Sequence, residues 1–234
     1  MKIKILSLIL CMTLSPVFAH DAKSEKTPHA HPERERVPAQ VMSYLGADWL
    51  ERKDRDEKEQ PYKVLEAMKL KDGDIVADIG VGTGYYARKI AKKVAPTGWV
   101  YGVDIQPEML TYFNQYCEKE KITNISPVLG VFDDPRLPKE SVDWIILADV
   151  YHEFEDPEIM LKKMHGSLKS TGKLCLLEYR LDGNSAKHIK VDHRMSVKQV
   201  KEEWIPAGFE LLELHEFLPS QHLFIFGKKN LSTK

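Results

Sequence analysis

The sequence contains few cysteines and no surplus of either charge. Only three cysteines occur in 234 residues, and Cys117 and Cys175 have no His or Cys neighbours at the spacing of a zinc site. Neither a disulfide framework nor a structural zinc site is indicated. The formal net charge is −1, so nothing favours the strong phosphate attraction that nucleic-acid binding requires. We expect no bound metal and no nucleic-acid partner.

The sequence also lacks an apolar run of the roughly 20 residues that cross a bilayer. An apolar stretch at residues 5–14 follows Lys2 and Lys4 and precedes the small-residue pattern Val17-Phe18-Ala19. This order is typical of a secretory signal peptide. We therefore predict a signal peptide over residues 1–19, export to the periplasm or the medium, and no stable membrane insertion after cleavage. If the pattern is not a signal, the protein is cytoplasmic.

The rest of the chain divides into three segments by composition. Residues 20–38 are charged and rich in His, Glu, Lys and Pro, which predicts a flexible lead-in. Residues 39–72 show helical spacing, and we expect two helices, near residues 41–50 and 62–68. Residues 73–230 alternate short apolar strands with amphipathic helices, the pattern of a parallel sheet with helical crossovers. The length allows one well-buried α/β domain.

The strand candidates predict a mostly parallel sheet. Only four residues separate the last two candidates, and a connection that short requires an antiparallel pair. Helix starts are marked by Asp156-Pro157 and by Ser196 with Gln199. The predicted fold class is α/β, a doubly wound seven-stranded sheet that ends in an antiparallel hairpin, with helices on both faces. The strands are predicted at residues 75–79, 99–104, 125–129, 142–148, 173–178, 209–217 and 222–227.

The most informative motif joins the first strand to the next helix and reads Asp78-Ile79-Gly80-Val81-Gly82-Thr83-Gly84-Tyr85. Alternate glycines permit a tight turn and remove side chains that would hold a ligand away from the backbone. A dinucleotide loop requires Gly-x-Gly-x-x-Gly, and Tyr85 stands where its third glycine would fall. Asp78 also suits a cationic ligand better than a pyrophosphate. The motif therefore argues against an NAD enzyme.

Acidic positions follow the next strands as well. Asp104 ends the second strand, where a carboxylate can accept hydrogen bonds from both hydroxyls of a ribose. A cap for the helix that begins at Pro107 is the alternative. The third strand is followed by a stretch from Phe132 to Pro138 that contains Asp133-Asp134, and the fourth by Ala148-Asp149-Val150-Tyr151-His152-Glu153-Phe154.

These four motifs, in their order and strand context, resemble those of class I S-adenosylmethionine-dependent methyltransferases over about residues 42–228. The resemblance implies S-adenosylmethionine as cofactor and a small-molecule methyl acceptor. It also implies that an acidic side chain after the third strand, Asp133 or its rival Asp134, meets the adenine amino group. The implied cofactor-binding residues are Asp78, Gly80, Gly82, Thr83, Gly84, Tyr85, Asp104, Ile105, Met109, Asp133, Asp134 and Asp149.

Candidate catalytic residues lie at the carboxyl ends of the fourth and fifth strands. His152 is the first candidate for a general base, because an ordinary histidine pKa of about 6.5 suits proton transfer at neutral pH. A histidine that only packs beside the pocket is the alternative. Tyr151, Glu178 and His193 are the other candidates. Arg180 would favour an anionic acceptor, but we interpret it as solvated or paired with Glu178.

Two further segments of the chain could contribute to the site, and two other functions are alternatives to a small-molecule methyltransferase. The mixed-charge run at residues 49–60 is interpreted as a solvated helix face; in related enzymes such a helix closes over the cofactor, where Arg55 and Gln60 would touch it. Residues 193–195 are expected in a lid or at the start of a helix. A protein-modifying methyltransferase, which requires an open groove, and a non-catalytic S-adenosylmethionine-binding module are the alternatives to a small-molecule enzyme.

Overall fold

The computed structural model of the protein describes residues 37–229. The predicted signal peptide and nearly all of the predicted lead-in lie outside the described residues, and so does the predicted end of the domain at residue 230. Eight strands form one sheet in the order β3-β2-β1-β4-β5-β8-β7, with β6 paired to β5. The strands are β1 (Ile75–Ile79), β2 (Trp99–Asp104), β3 (Ile125–Leu129), β4 (Val142–Ala148), β5 (Leu168–Arg180), β6 (Arg194–Met195), β7 (Phe209–His215) and β8 (Gln221–Lys228).

The strand directions confirm the predicted fold class. Strands β1 to β5 run parallel, whereas β8 pairs antiparallel with both β5 and β7. The first four strands begin and end where they were predicted. The sheet has one strand more than predicted, because Arg194 and Met195 pair with Tyr179 and Arg180 at the end of β5. These two residues, expected in a lid or at the start of a helix, thus extend the sheet directly before a helix.

The described residues also form seven α-helices, and the predicted helix caps are confirmed. Asp156 accepts a hydrogen bond from the Ile159 N–H at 3.3 Å, and Ser196 accepts one from the Gln199 N–H at 3.1 Å. These bonds satisfy backbone N–H groups that have no partner within the helix. The helices are α1 (Ala47–Leu50), α2 (Arg55–Glu59), α3 (Pro61–Met68), α4 (Tyr85–Val94), α5 (Pro107–Lys119), α6 (Pro157–Ser167) and α7 (Val197–Trp204).

A hydrophobic core lies on each face of the sheet, because side chains alternate along each strand. On β5, Cys175 and Leu177 contribute to the core that contains residues of α3, α4 and α5. Leu174 and Leu176 contribute to the other core, which contains residues of α6 and α7. None of the helices within residues 37–229 is long and apolar enough to cross a membrane. The two cores keep the carboxyl ends of the parallel strands aligned at one edge.

The N-terminal segment differs from the prediction. Three short helices precede β1 instead of two, and the additional helix is α2, formed by the charged run. Arg55 and Glu59 are only 6% and 2% exposed, so the interpretation of this run as a solvated face is wrong for these two residues. Their side chains form an ion pair with a 2.9 Å Nε–Oε2 distance. A pair of opposite charges makes the burial of both groups tolerable.

Candidate active site

A cavity of about 130 Å³ opens at the carboxyl ends of β1, β2 and β4. The strand ends and the turn after β3 form its base, and residues of the N-terminal segment form its roof. Its position at the carboxyl edge of a parallel sheet is where such folds bind ligands. Six of the twelve predicted cofactor residues line it: Gly80, Gly82, Asp104, Ile105, Met109 and Asp149.

The glycines of the β1–α4 loop are required by their surroundings. Gly80 has φ +74°, and a Cβ atom there would lie 2.4 Å from Cγ2 of Val150. Gly82 has φ +52°, and a Cβ atom there would lie 2.8 Å from Cδ1 of Leu50. Any other residue would clash and would adopt a strained left-handed backbone. The loop therefore brings bare backbone to the wall of the cavity.

Asp104 connects this loop to the end of β2. Its carboxylate accepts hydrogen bonds from the backbone N–H groups of Gly82 and Gln106, both at 2.9 Å. Burial raises its pKa, although these hydrogen bonds oppose the rise. The N-cap of α5 is Gln106 rather than Asp104. Asp104 lines the cavity as the predicted ribose-binding residue should.

Asp78 lies beneath the loop rather than in the cavity wall. Its side chain is 3% exposed. Burial raises the pKa of Asp78 to about 7, assisted by the charge of Asp104 and opposed by the Ala87 amide and by Arg55. A cation bound above the loop would favour the ionised form, which agrees with the predicted preference for a cationic ligand.

Three other predicted loop residues are absent from the cavity wall, and two of them hold the roof in place. The Thr83 hydroxyl donates to Oε1 of Glu51 at 2.6 Å, and the Tyr85 hydroxyl donates to Asp56. The Arg55 guanidinium lies 3.8 Å from the centre of the Tyr85 ring, a cation–π contact. Gly84 contributes its φ of +87° as the N-cap of α4. These residues fasten α1 and α2 to the glycine loop.

Neither aspartate after β3, predicted to contact adenine, is among the residues that line the cavity. Asp133 is exposed, and the Asp134 carboxylate accepts hydrogen bonds from Lys163 Nζ at 2.6 Å and from the Arg136 N–H at 2.8 Å. The Val131 N–H bonds to the Asp134 carbonyl at 2.9 Å, which closes a tight turn. This turn contributes mainly apolar wall residues to the cavity: Gly130, Val131, Phe132 and Pro135.

Two polar residues of the cavity wall were not selected from the sequence. Gln106 donates from Nε2 to the Met42 carbonyl at 2.8 Å and accepts from the Tyr44 N–H at 3.0 Å. Glu153 accepts from the Met42 N–H at 3.1 Å, and burial raises its pKa to about 7. No sequence signal identifies either residue, because their partners lie 62 to 111 residues away. Both connect the roof to the strand ends.

His152 and Glu178 form a buried pair beside the cavity, not in its wall. Glu178 accepts from His152 twice, at Nδ1 (2.6 Å) and at the backbone N–H (3.2 Å). The His152 ring lies 5.0 Å from the ring of His193. Burial alone would lower the pKa of His152, but the charge and hydrogen bond of Glu178 outweigh burial and, with Asp149 and Glu153, raise it to about 9.

A pKa of about 9 keeps the imidazole mainly protonated at neutral pH, a state that has no lone pair with which to accept a proton. This favours the alternative to a base, and the catalytic role of His152 stays a prediction. Its arrangement with Glu178 agrees better with the alternative of a packed histidine that orients its neighbours. His193 lies against it in the 3₁₀ turn Val191–His193.

The pKa of His152 predicts a pH-dependent stability. Because the folded value exceeds the unfolded value of about 6.5, the pair stabilises the protein fully below pH 6.5, and this stabilisation, up to about 3 kcal/mol, disappears as the pH rises through 9. NMR titration of the imidazole should give a pKa near 9 for His152, and Glu178→Gln should lower this pKa below 6.5. An unchanged titration in Glu178→Gln would contradict the assignment. Burial raises the pKa of both Asp78 and Glu153 to about 7, so these groups change protonation mostly below this range.

The side chains of Tyr151 and Arg180 bind residues that were not predicted as their partners. Tyr151 is fully buried among aromatic rings, with the Trp204 ring centre 5.1 Å away, and its hydroxyl donates to Glu203 Oε2 at 2.7 Å. It therefore belongs to the core beneath α7 and not to the cavity. Arg180 pairs with Glu216, with a 2.7 Å Nε–Oε2 distance, rather than with Glu178.

The residues that line the cavity suit the predicted cofactor in chemical character. Bare backbone at Gly80 and Gly82 would accommodate its amino acid portion, Asp104 its ribose, and the apolar wall its adenine. An unpartnered buried oxygen, Oδ1 of Asp149, lies at the same site, and such an atom indicates a missing ligand partner. Within residues 37–229 no group of three or more His, Cys, Asp or Glu side chains is arranged to hold a metal ion.

A family model described as a methyltransferase domain matches residues 70–222. The chain belongs to this methyltransferase family. A solved S-adenosylmethionine-dependent methyltransferase from Aquifex aeolicus has the same fold, with a TM-score of 0.76, 24% identity, and coverage of 80% of this chain and 100% of that chain. The protein is thus an enzyme that uses S-adenosylmethionine, as the motifs predicted.

The related methyltransferases act on different acceptors. A fibrillarin-like rRNA/tRNA 2′-O-methyltransferase from Staphylothermus marinus is 26% identical over 170 residues, 70% of this chain and 69% of that protein. A demethylmenaquinone methyltransferase from Geobacillus sp. is 25% identical over 114 residues, and the match spans about half of each protein, 49%. The family therefore establishes the reaction of this methyltransferase but not its acceptor.

Proposed function

We propose that this methyltransferase transfers the methyl group to a small organic molecule. The observation that carries the proposal is the roof over the cavity. Met42, Trp49 and Leu50 line the cavity from the N-terminal side, and Met42 is held at both backbone atoms by Glu153 and Gln106. A cavity bordered on one side by this fixed segment admits a small acceptor more readily than a folded protein or an RNA helix, and the net charge of −1 gives no attraction for RNA.

The side chains of the enzyme would mainly bind, orient and exclude water. When bound, S-adenosylmethionine supplies a methyl group on a sulfonium, which is a good leaving group, so alignment of the acceptor is the main task of the protein. Asp104 would hold the ribose. Trp49, Leu50 and Met42 would keep water from the reacting atoms. His152, protonated by its pairing with Glu178, would position the turn after β4 instead of accepting a proton.

The first test is calorimetric titration of the protein with S-adenosylmethionine and, in parallel, with NAD. We expect micromolar binding of S-adenosylmethionine and no binding of NAD. Binding of NAD alone would contradict the cofactor assignment, and binding of neither would favour a different role for the cavity.

The acceptor class is tested with S-adenosylmethionine that carries a tritiated methyl group. The enzyme is incubated with cell extract separated into low-molecular-weight, protein and RNA fractions. We expect label in the low-molecular-weight fraction, and an excess of S-adenosylhomocysteine should abolish it. Label found mainly in protein or in RNA would overturn the small-molecule proposal while leaving the methyltransferase assignment intact.

We also propose that the enzyme is exported, on the basis of the signal-like pattern at residues 1–19. Expression in a Gram-negative host should yield a periplasmic protein whose mass corresponds to a chain that starts at His20. A full-length chain in the cytosol would contradict export.

A further inference from the structure

A buried carboxyl group lies where β4 leads into the cavity. Asp149 adopts a left-handed backbone with φ 54°, and its N–H donates to the Leu177 carbonyl at 3.0 Å. Its Oδ2 accepts a hydrogen bond from Gln221 Nε2 at 2.6 Å. Its Oδ1 is buried and has no partner among the described residues. One oxygen is thus fixed by the protein, and the other is available to a ligand in the cavity that Asp149 lines.

Asp149 has no cationic side chain as a partner of its own, because the cations near it are paired with other carboxylates. Arg55, which lines the same cavity, is paired with Glu59, and His152 is paired with Glu178. Burial raises the pKa of Asp149 well above its usual range, and the charges of Glu59 and Glu178 raise it further, whereas the Gln221 hydrogen bond and the charge of His152 oppose the rise. A cation bound at the free oxygen would offset the cost of burying the ionised carboxylate. The surroundings therefore favour a positively charged ligand.

Tyr86 adds a second unpartnered group near this carboxyl. It is 2% exposed, and its hydroxyl has no hydrogen-bond partner among the described residues. The charges of Glu59, Arg55 and Asp149 all act on its pKa, which burial raises. Tyr86 is not among the residues that line the cavity, so Asp149 is the group that a ligand there would reach. A ligand with N–H groups can donate to its free oxygen, whereas an aliphatic ether or thioether cannot.

We propose that Asp149 binds the methyl acceptor and that this acceptor is an amine, positively charged at neutral pH. The inference rests on the proposed transfer to a small molecule and names the acceptor class. An ammonium group would donate a hydrogen bond to Oδ1 of the ionised carboxylate. One proton would then move from the nitrogen to Oδ1, which frees the nitrogen lone pair to form a bond to the methyl carbon of S-adenosylmethionine. The methyl–sulfur bond would break, its electron pair would stay on the sulfur of S-adenosylhomocysteine, and the product would be a methylated ammonium. Gln221 is a positioning residue, because it holds Oδ2 through this exchange.

An anionic acceptor is disfavoured by the same arrangement. Arg55, which lines the cavity, and His152, whose charge acts on Asp149, already have carboxylate partners in Glu59 and Glu178. A carboxylate or phosphate placed beside Asp149 would meet like charges in a buried environment, where they repel strongly. Asp149, predicted from the sequence as a cofactor residue, is in this interpretation the link between the cofactor and the acceptor.

The test uses three probes of similar shape and different charge. The protein saturated with S-adenosylhomocysteine, which lacks the sulfonium charge, is titrated calorimetrically with benzylamine, benzyl alcohol and benzoate. We expect benzylamine to bind at least about tenfold more tightly than either of the others. Repeating its titration in buffers of different ionisation enthalpy should show net proton release, because Asp149 ionises when the ammonium binds.

Two variants locate the effect at Asp149. Asp149→Asn should lose both the preference for benzylamine and the proton release. Asp182→Asn, a change of the same kind at an exposed loop residue, should keep both. If the unmodified protein binds the three probes equally, the proposal is wrong and no variant is needed. If Asp149→Asn keeps the preference for benzylamine, the proposal is also wrong.

The same titrations separate this inference from the proposed function. If S-adenosylhomocysteine does not bind, the methyltransferase site and the acceptor inference fail together. If it binds and benzoate or benzyl alcohol is preferred, the cofactor site stands and the amine acceptor is wrong.

Discussion

Glu59→Ala should lower the free energy of unfolding by about 3–5 kcal/mol, the typical cost of leaving a buried charge without its partner. Glu59 is 2% exposed and neutralises the buried Arg55 guanidinium, which contacts no other carboxylate in the described residues. Arg55 also donates to the Leu50 carbonyl at 2.8 Å, so the loss should spread to the roof of the cavity. Chemical denaturation measures the change in stability, and hydrogen exchange of residues 47–60 measures the loosening of the roof.

Two further variants show whether the effect comes from the unpaired charge. Replacing Arg55 and Glu59 together by methionine should restore most of the stability, because two apolar side chains of similar volume replace the buried charges. Arg52, which also pairs with Glu59, keeps Asp54 as a partner. Lys58→Ala on the same helix removes an exposed partner of Asp54 and should change the stability by less than about 0.5 kcal/mol. A Glu59→Ala protein as stable as the unmodified enzyme would show that Arg55 finds water or another partner.

Asp104→Asn should weaken the binding of S-adenosylmethionine by about 10- to 150-fold, which corresponds to the roughly 1.5–3 kcal/mol of hydrogen bonds to a charged group. The substitution keeps the shape of the side chain and removes the negative charge that binds the Gly82 and Gln106 amides and that would bind the ribose hydroxyls. Calorimetric titration measures the affinity, and thermal unfolding without cofactor measures the loss of the structural hydrogen bonds separately.

The companion variant Asp133→Asn tests the adenine contact implied by the family resemblance. Asp133 is exposed and lies outside the cavity wall, so the structure predicts unchanged cofactor affinity. A loss as large as that of Asp104→Asn would mean that the turn after β3 rearranges when the cofactor binds. Unchanged affinity in Asp104→Asn would refute the ribose assignment.

Local patterns were sufficient for the sheet and for part of the cofactor site. Strands β1 to β4 and the caps at Asp156 and Ser196 were located correctly, because strand propensity and capping depend on residues close in sequence. Strand β5 begins earlier than predicted, at Leu168, since its first residues pair with the start of β4 across a register shift between Val142 and Trp144. No local pattern marks that pairing.

Roles that depend on distant partners were predicted less well. The aspartates after β3 were predicted to bind adenine, but the Asp134 carboxylate accepts a hydrogen bond from Lys163, which lies 29 residues further along the chain on α6. Tyr151 was a catalytic candidate, but its hydroxyl donates to Glu203 of α7 instead of facing the cavity. His152 was chosen for an ordinary pKa, which the buried Glu178 changes.

The sequence by itself determined the fold class, the order of the parallel strands along the chain, and a glycine loop with acids that identify the cofactor. These features follow from spacing and residue type within short windows. Only the tertiary structure decided which charged residues are buried, which side chains line the cavity, and which carboxyl oxygen is left without a partner. Burial and pairing set the pKa of a group, and both depend on side chains that folding brings together from distant parts of the chain.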